Sequence, residues 1–528
     1  MSVEPEEKDP IQLMRRAWHY IREKEAYALA LLLLLVASGA GVLLYSLDKH
    51  VFLYFGDAAS HIVKARQLID SQHPGIESIG TVWLPLPHFL LVPFVFLDSL
   101  FYSGIAGPAL GILCLAGTGV LLFSIVKGIT GSSSIAFVSA CLFGLSPNIV
   151  YMSLTPMNEL TLFFFVTLGG YAFLRWREVQ NDRWLLLCAA AVMLASLCRY
   201  EAWILAAFVP FVVVRKVISD GKQIGKRRVI QLLAIAVLSV AGILIWFCWN
   251  KVEFGDAYQF APSKYRLAPT DVDNPMRYRQ EPVFMTLTRA VLNVFGPIML
   301  LTCVAGLVRL KRVVTERRHL QMLVFFSLPA IFMFAGILTD SVLIDQWWWN
   351  WRFVLSFGLF LSVVGGMGLS EFFSRAPSRL ARSIAVVALL FMPVVQLTVP
   401  SVSVATYEDA TKIFHGLSKD AAAFGEKLGV IHKGGTVVLL TGSGLGERIM
   451  VSSWLPLRDF HIIRSPGGQD ILGPIRAGDR YVVIGKVRLP DSREVVNYWL
   501  SRRETFLRYY NILLEDDQYI LLERRASD

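Results

Sequence analysis

The chain has 528 residues, 55% of them hydrophobic and only 17% charged, with a mean hydropathy of +0.52 and a formal net charge of +10. A soluble protein of this size would carry more charge, so the composition excludes a soluble globular enzyme and reads as a polytopic membrane protein. The positive balance does not point to nucleic acid, because much of it lies in short loops between apolar runs, where the positive-inside rule places it.

A cytoplasmic N-terminal segment, 1–25, carries Arg15, Arg16, Arg22 and Lys24. The first apolar run, 26–47, is long enough to cross a hydrocarbon core of about 30 Å. It has no small-residue cleavage site and further runs follow, so it is expected to be a retained span rather than a signal peptide. Beyond it comes "YFGDAASHIVKARQLID", 54–70. Here Asp57 and His61 stand at i and i+4 on one helical face. Asp57 reads either as an N-cap opening an amphipathic helix or as a working carboxylate. In "WLPLPHFLLVPFVFLD", Pro85, Pro87 and Pro93 interrupt an apolar stretch with His88 in its first turn, so a juxtamembrane or re-entrant helix is expected there.

Runs at 105–126, 135–151 and 160–176 read as three spans. They make Lys127 cytoplasmic and "SLTPMNEL" external, with Glu159 at a helix start, where a carboxylate is also favoured for helix-dipole reasons alone. Basic clusters at Arg175/Arg177/Arg183, 215–228, 309–318 and 375–382 are each expected on the cytoplasmic side. The runs between them therefore pair: 184–197 with 202–214, 229–249 with 284–307, and 320–338 with 353–373. A last span at 384–399 leads outward, for about 11 in all. "CRYEAW" wedges Arg199, Tyr200 and Glu201 between two spans with almost no loop, where an Arg and a Glu pair or meet a substrate. The polar stretch 251–282, rich in Tyr, Arg and Pro, reads as a cover for the site, a hold for an acceptor, or a spacer. "DSVLIDQWWWNWRFVLSF" sets Asp340, Asp345 and a tryptophan cluster including Trp349 before Arg352, which opens the next span. Those tryptophans suit a membrane belt or a face for a sugar ring. External loops are thus expected at 48–104, 152–159, 250–283 and 339–352.

All six cysteines lie in or at the ends of apolar runs, with no C-x-x-C pair, which argues against structural disulfides or a zinc knuckle. The final part, 401–528, alternates in pattern: a helix in "DAAAFGEKLGVI", strands in "GGTVVLL" and "DRYVVIGKV", a helix in "SREVVNYWLSR", and a strand pair in "TFLRYYNIL" and "QYILLERR". It is expected to be a small extracytoplasmic α/β domain. "TGSGLGER" lacks the full G-x-G-x-x-G, so a tight turn is favoured over a nucleotide site.

Together these elements gather carboxylates, imidazoles and arginines at the outer face. That set suits transfer from a lipid-anchored phosphate: a carboxylate takes a proton from an acceptor, and cations neutralise the leaving phosphate. A polyprenyl-linked substrate flippase or transporter is the main alternative, and it predicts charges in mid-span. An enzyme like the O-antigen ligases or polymerases is another, and a structural scaffold the last.

The order and sidedness of these motifs resemble the GT-C superfamily of integral-membrane glycosyltransferases. The similarity is greatest to the branch of protein O-mannosyltransferases and the lipid A aminoarabinose transferase, and it covers roughly 20–400. "FGDAASHIVKARQL" is similar to the family's first acidic motif, with Ala58 where a second acid often stands. "TVWLPLPHFLL" resembles its Pro-rich segment without the preceding lysine, and "SLTPMNELTLFF" its second acidic site. "Arg352-Phe353" resembles the pair opening a late span. The resemblance implies a GT-C transmembrane catalytic domain over 26–400 in the plasma (inner) membrane. It implies inverting transfer of a sugar from a polyprenyl-phosphate donor to a glycan, lipid or protein acceptor outside. Asp57 would be the base, and Glu159 would assist in the acceptor site or in metal binding. His61, His88, Arg199, Tyr200, Glu201, Arg352 and Trp349 would bind substrate or phosphate. A divalent cation, Mg or Mn, would draw on Asp57, His61 and Glu159.

Overall fold

The computed structural model describes residues 24–221, 225–261, 282–308, 317–339, 350–375, 404–441, 444–462, 479–486 and 493–525, with single positions between 378 and 387. The expected span 384–399, Trp349 with Asp340 and Asp345, and most of the 250–283 loop lie outside these residues.

The first helix, α1 (Lys24–Leu47), exposes Leu31, Leu35 and Leu43 and buries Leu29, Leu33 and Ala37. Such a one-sided apolar exposure suits a span at the edge of a bundle. A turn at 51–53 leads into α2 (Gly56–Gln67), which is followed by the short helices α3 (Leu86–Val95) and α4 (Asp98–Tyr102). The Pro-rich run is therefore a helix of only 10 residues, with Pro87 in its first turn and Pro93 inside, too short to span.

Helix α5 (Ala106–Thr130) crosses the bundle. The expected continuous span 135–151 is instead a broken pair, α6 (Ser133–Gly144) and α7 (Pro147–Ser153), bent by 65°. Pro147 removes a backbone donor and clashes with the preceding turn, which explains the break. Helix α8 (Glu159–Val179) is buried on nearly every side, through Leu160, Phe163, Val166, Phe173 and Trp176, and is the central helix of the bundle. Then come α9 (Asp182–Ser196), α10 (Trp203–Asp220), α11 (Lys226–Phe254), α12 (Val283–Val308), α13 (Arg317–Leu338) and α14 (Gly358–Arg375). The expected straight span 284–307 is also broken, by 99° near Gly296, whose φ of +73° is outside the helical range. Among the described residues, six helices are long and apolar enough to span, or up to eight counting each bent pair as one. The other three of the expected 11 are the runs of α8 and α9 and the 384–399 run.

The helix ends sort by chemistry. At one end lie the C-terminus of α1, the N-termini of α8 and α10, and the start of α14. At the other lie Lys127, Arg175, Arg177, Arg183 and Arg228, where Arg228 pairs with Asp182 at 3.3 Å. Close packing sets one of these ends: Gly107 and Gly111 of α5 face the backbone of Pro156 and Ser153, and a Cβ at either position would collide with it. Only glycine lets α5 approach the segment that leads into Glu159.

The C-terminal part begins with α15 (Ala405–Ile413), which docks on the bundle where Asn148 Oδ1 accepts from Thr406 N at 2.9 Å. One π-helical turn joins it to α16 (Lys419–Ile431). A five-stranded sheet follows, from β1 (Val437–Leu440), β2 (Phe460–Ile462), β3 (Tyr481–Gly485), β4 (Tyr510–Glu515) and β5 (Tyr519–Arg524), in the order β2-β1-β3-β5-β4. Strands β2, β1 and β3 are parallel, and β5 is antiparallel to both β3 and β4. Strand alternation divides the sheet. Val437, Leu439, Tyr481 and Val483 face α16 and α17 (Leu445–Ser453), while Val438, Leu440, Val482 and Ile484 pack with Trp499 and Phe506 of α18 (Arg493–Tyr509). The "TFLRY" part of the expected strand is thus helical, because Trp499 and Phe506 at i and i+7 serve one helix face.

Candidate active site

The site forms where the non-basic ends of the spans meet α2. Asp57 lies in the first turn of α2, but it is not the cap: Phe55 occupies the N-cap position and no side chain bonds there. The Asp57 carboxylate instead turns to the bundle, where Oδ2 accepts from Arg352 Nη2 at 2.6 Å. Arg352 comes from a 3₁₀ turn, Trp351–Phe357, ahead of α14. Its guanidinium lies 5.1 Å from the Phe55 ring and 5.3 Å from that of Phe353, and Nη1 reaches the Met157 sulfur at 3.7 Å. The Arg352 side chain is 10% exposed and that of Asp57 40%, so Asp57 is the open member of the pair.

Beside it lies a second ion group. The Arg199 extended backbone ends α9, and its side chain turns inward: Nη1 donates to Glu159 Oε1 at 2.8 Å and Nε to Glu201 Oε1 at 2.6 Å. Ser356 Oγ donates to the same Glu201 oxygen at 3.1 Å. Burial disfavours the Arg199 charge, but Glu201 and Glu159 more than offset that and hold its pKa above the ordinary value. Glu159 Oε2 is buried without a hydrogen-bond partner among the described residues, as is Arg352 Nε. Both atoms are left able to make a further hydrogen bond.

The two histidines meet each other rather than the acids. His61 Nδ1 lies 3.0 Å from His88 Nε2, and its ring lies 4.6 Å from that of Trp83. Both are fully buried, and burial first holds both well below the ordinary imidazole pKa; Arg352, Arg199 and Lys64 push His61 the same way, and His61 and Lys64 push His88. Lys64, one turn on, reaches Ser78 O at 3.0 Å and sits 5.9 Å from the Trp83 ring. Tyr200 faces outward: its hydroxyl donates to Val82 O at 3.0 Å, and its ring stacks on Phe260 at 5.6 Å. The start of the long loop after α11 thus packs on Tyr200 through Phe260.

The structure thus brings together Asp57, Glu159, Arg199, Glu201 and Arg352, with His61 and His88 adjoining. It does not bring Asp57, His61 and Glu159 into one metal-ligand set, since each is bonded to a different partner. Among the described residues, no three His, Cys, Asp or Glu side chains are placed to hold a metal ion. Sequence reading missed Ser356, although it lies one turn after Arg352, and it missed Asp409. Asp409, on α15, accepts from Trp351 N at 3.0 Å and is buried. That burial raises its pKa to about 8, against the pull of Arg352. With the folded pKa above the ordinary value of 3.8, Asp409 stabilises most at low pH, and that stability is lost as pH rises through about 8. Asp409→Asn keeps an acceptor for Trp351 N and removes the titration. Its thermal midpoint is expected to exceed the wild type's at pH 9 and to match it at pH 4, read from unfolding curves in detergent.

Comparison with known proteins gives one family match and two similar folds. Residues 102–246 match the family described as Dolichyl-phosphate-mannose-protein mannosyltransferase. The fold is similar to ArnT from Cupriavidus metallidurans in the apo state, at 13% identity, with 92% of this chain and 98% of that chain covered and a TM-score of 0.51. ArnT from the same organism bound to undecaprenyl phosphate gives 13% identity, 93% and 98% coverage and a TM-score of 0.52. No curated protein matches the sequence. The chain therefore shares its fold with ArnT, and residues 102–246 carry the mannosyltransferase family's pattern.

Proposed function

We propose that the protein transfers a sugar, with inversion, from a polyprenyl-phosphate donor to a hydroxyl or amine of a glycan, lipid or protein acceptor. The carrying observation is the half-open carboxylate of Asp57, bonded at 2.6 Å to a guanidinium that is itself almost enclosed. Asp57 is the base: it takes the acceptor proton as the acceptor oxygen or nitrogen attacks the anomeric carbon and the bond to the phosphate oxygen breaks. Arg352 has unsatisfied donor capacity, so an arriving phosphate competes with Asp57 for it and frees the carboxylate as the leaving group is neutralised. Arg199 is pinned between two carboxylates, and the free oxygen of Glu159 is available to an acceptor hydroxyl. The mannosyltransferase family match and the ArnT structure holding undecaprenyl phosphate support a polyprenyl-phosphate donor.

No step in this scheme is routed through a metal; a divalent cation, Mg or Mn, would draw on Asp57, His61 and Glu159. The N-terminus is assigned to the cytoplasm and the C-terminal domain to the outside of the plasma (inner) membrane, from the basic end of the bundle. The test uses purified protein with a radiolabelled polyprenyl-phosphate sugar and membrane extract as acceptor source. Release of polyprenyl phosphate with label in a glycosidic product is expected; movement of intact donor across vesicles without product would sink the transferase reading.

A further inference from the structure

The helix that carries Asp57 is held at both ends by the C-terminal domain. At its far end, Asp70 accepts from Leu457 N at 3.3 Å and lies 3.8 Å from Arg458 Nη1. At its near end, the turn at Gly444, with φ +80°, lies in ordinary van der Waals reach of Gly56 O, 3.8 Å from where a Cβ would stand. The helix opened by that turn, α17, sends Arg448 into the joint. Arg448 is 0% exposed. Its Nη2 reaches Phe55 O at 3.5 Å, its guanidinium lies 5.4 Å from the Phe414 ring, and Nε and Nη1 have no partner among the described residues.

That placement is costly on two counts. A buried cation with unpaired donors loses its hydration without full return. It also stands at a helix N-terminus, where the dipole disfavours positive charge. Burial lowers its pKa only to about 10, so the charge persists at neutral pH. What the guanidinium touches explains its place. Phe55 is the N-cap of α2, its carbonyl also accepts from Ala58 N at 3.1 Å, and its ring lies under Arg352. One residue therefore connects the C-terminal domain to both members of the Asp57–Arg352 pair.

We infer that Arg448 is a positioning residue for the transfer reaction, through which the C-terminal domain sets the orientation of Asp57 by holding the Phe55 carbonyl. This rests on Asp57 as base, so the test has one arm that does not depend on activity. Full-length wild type, Arg448→Gln and Arg448→Lys are compared in nanodiscs by hydrogen exchange and by donor turnover. Arg448→Gln is expected to speed exchange at amides 56–60 while leaving 62–66 unchanged. It is expected to lower kcat about 30-fold, with donor KM within about twofold. Arg448→Lys, which keeps a charge and a donor, restores most of both. Unchanged exchange at 56–60 overturns the proposal whatever the activity does, and so does a raised KM with kcat kept. Should Arg448→Gln loosen all of 419–453, Arg448→Lys is read against the same two outcomes. If wild type transfers no sugar, the transferase reading fails on its own while the exchange arm still decides the positioning.

Discussion

Asp57→Asn is expected to lower turnover of a polyprenyl-phosphate sugar by about 10²- to 10⁴-fold, the range that loss of a general base removes. The amide keeps the shape of the side chain and an oxygen for Arg352, so packing around Phe55 and Phe353 survives. Donor KM is expected to change far less than kcat, since Asp57 acts on the acceptor proton and the phosphate contacts belong to Arg352. Asp57→Glu retains a carboxylate but moves it by about one methylene, so partial activity is expected there. A well-folded Asp57→Asn protein with wild-type turnover would remove the base from the scheme.

The largest stability effect is expected at Arg199. Both its partners are buried, with Glu159 3% and Glu201 4% exposed. Arg199→Met leaves two carboxylates without their counter-ion and costs about 3–5 kcal/mol, as breaking a buried pair does. Denaturant unfolding in detergent reads this directly. Adding Glu159→Gln and Glu201→Gln to Arg199→Met is expected to recover much of the loss, because neutral amides no longer demand a cation. Arg352→Met is expected to cost less, because its carboxylate partner is 40% exposed and water can replace the guanidinium. If Arg199→Met unfolded like the wild type, the ion group would be a surface arrangement rather than a structural one.

Much of this was legible in the chain because a bilayer forces long apolar runs and sorts basic loops to one side. That parity alone brought Asp57, Glu159, Arg199 and Arg352 to one end of the bundle. Partner choice was not legible: Asp57 meets Arg352 across 295 residues, and no local pattern encodes such a pairing. The breaks at Pro147 and Gly296 had their signals in "FGLSPN" and "FGPI", but apolar content outweighed them when the runs were read as single spans. His61 shares a helical face with Asp57, yet spacing could not say that His88 would take its ring nitrogen. Asp409 and Arg448 were missed because they lie in a segment that reads as a separate soluble domain, and only tertiary packing brings that segment to α2.

The grip on α2 also bears on how the protein is made. The contacts at its two ends, Phe55 with Arg448 and Asp70 with Leu457, join residues 393 and 387 positions apart. The ribosome therefore produces the base-bearing helix long before the residues that seat it. Every span can be inserted while that helix is still held only by its neighbours at the membrane surface. A nascent chain halted just before α15 would be threaded but unfinished, and competence for transfer would arrive only with α17 and Leu457.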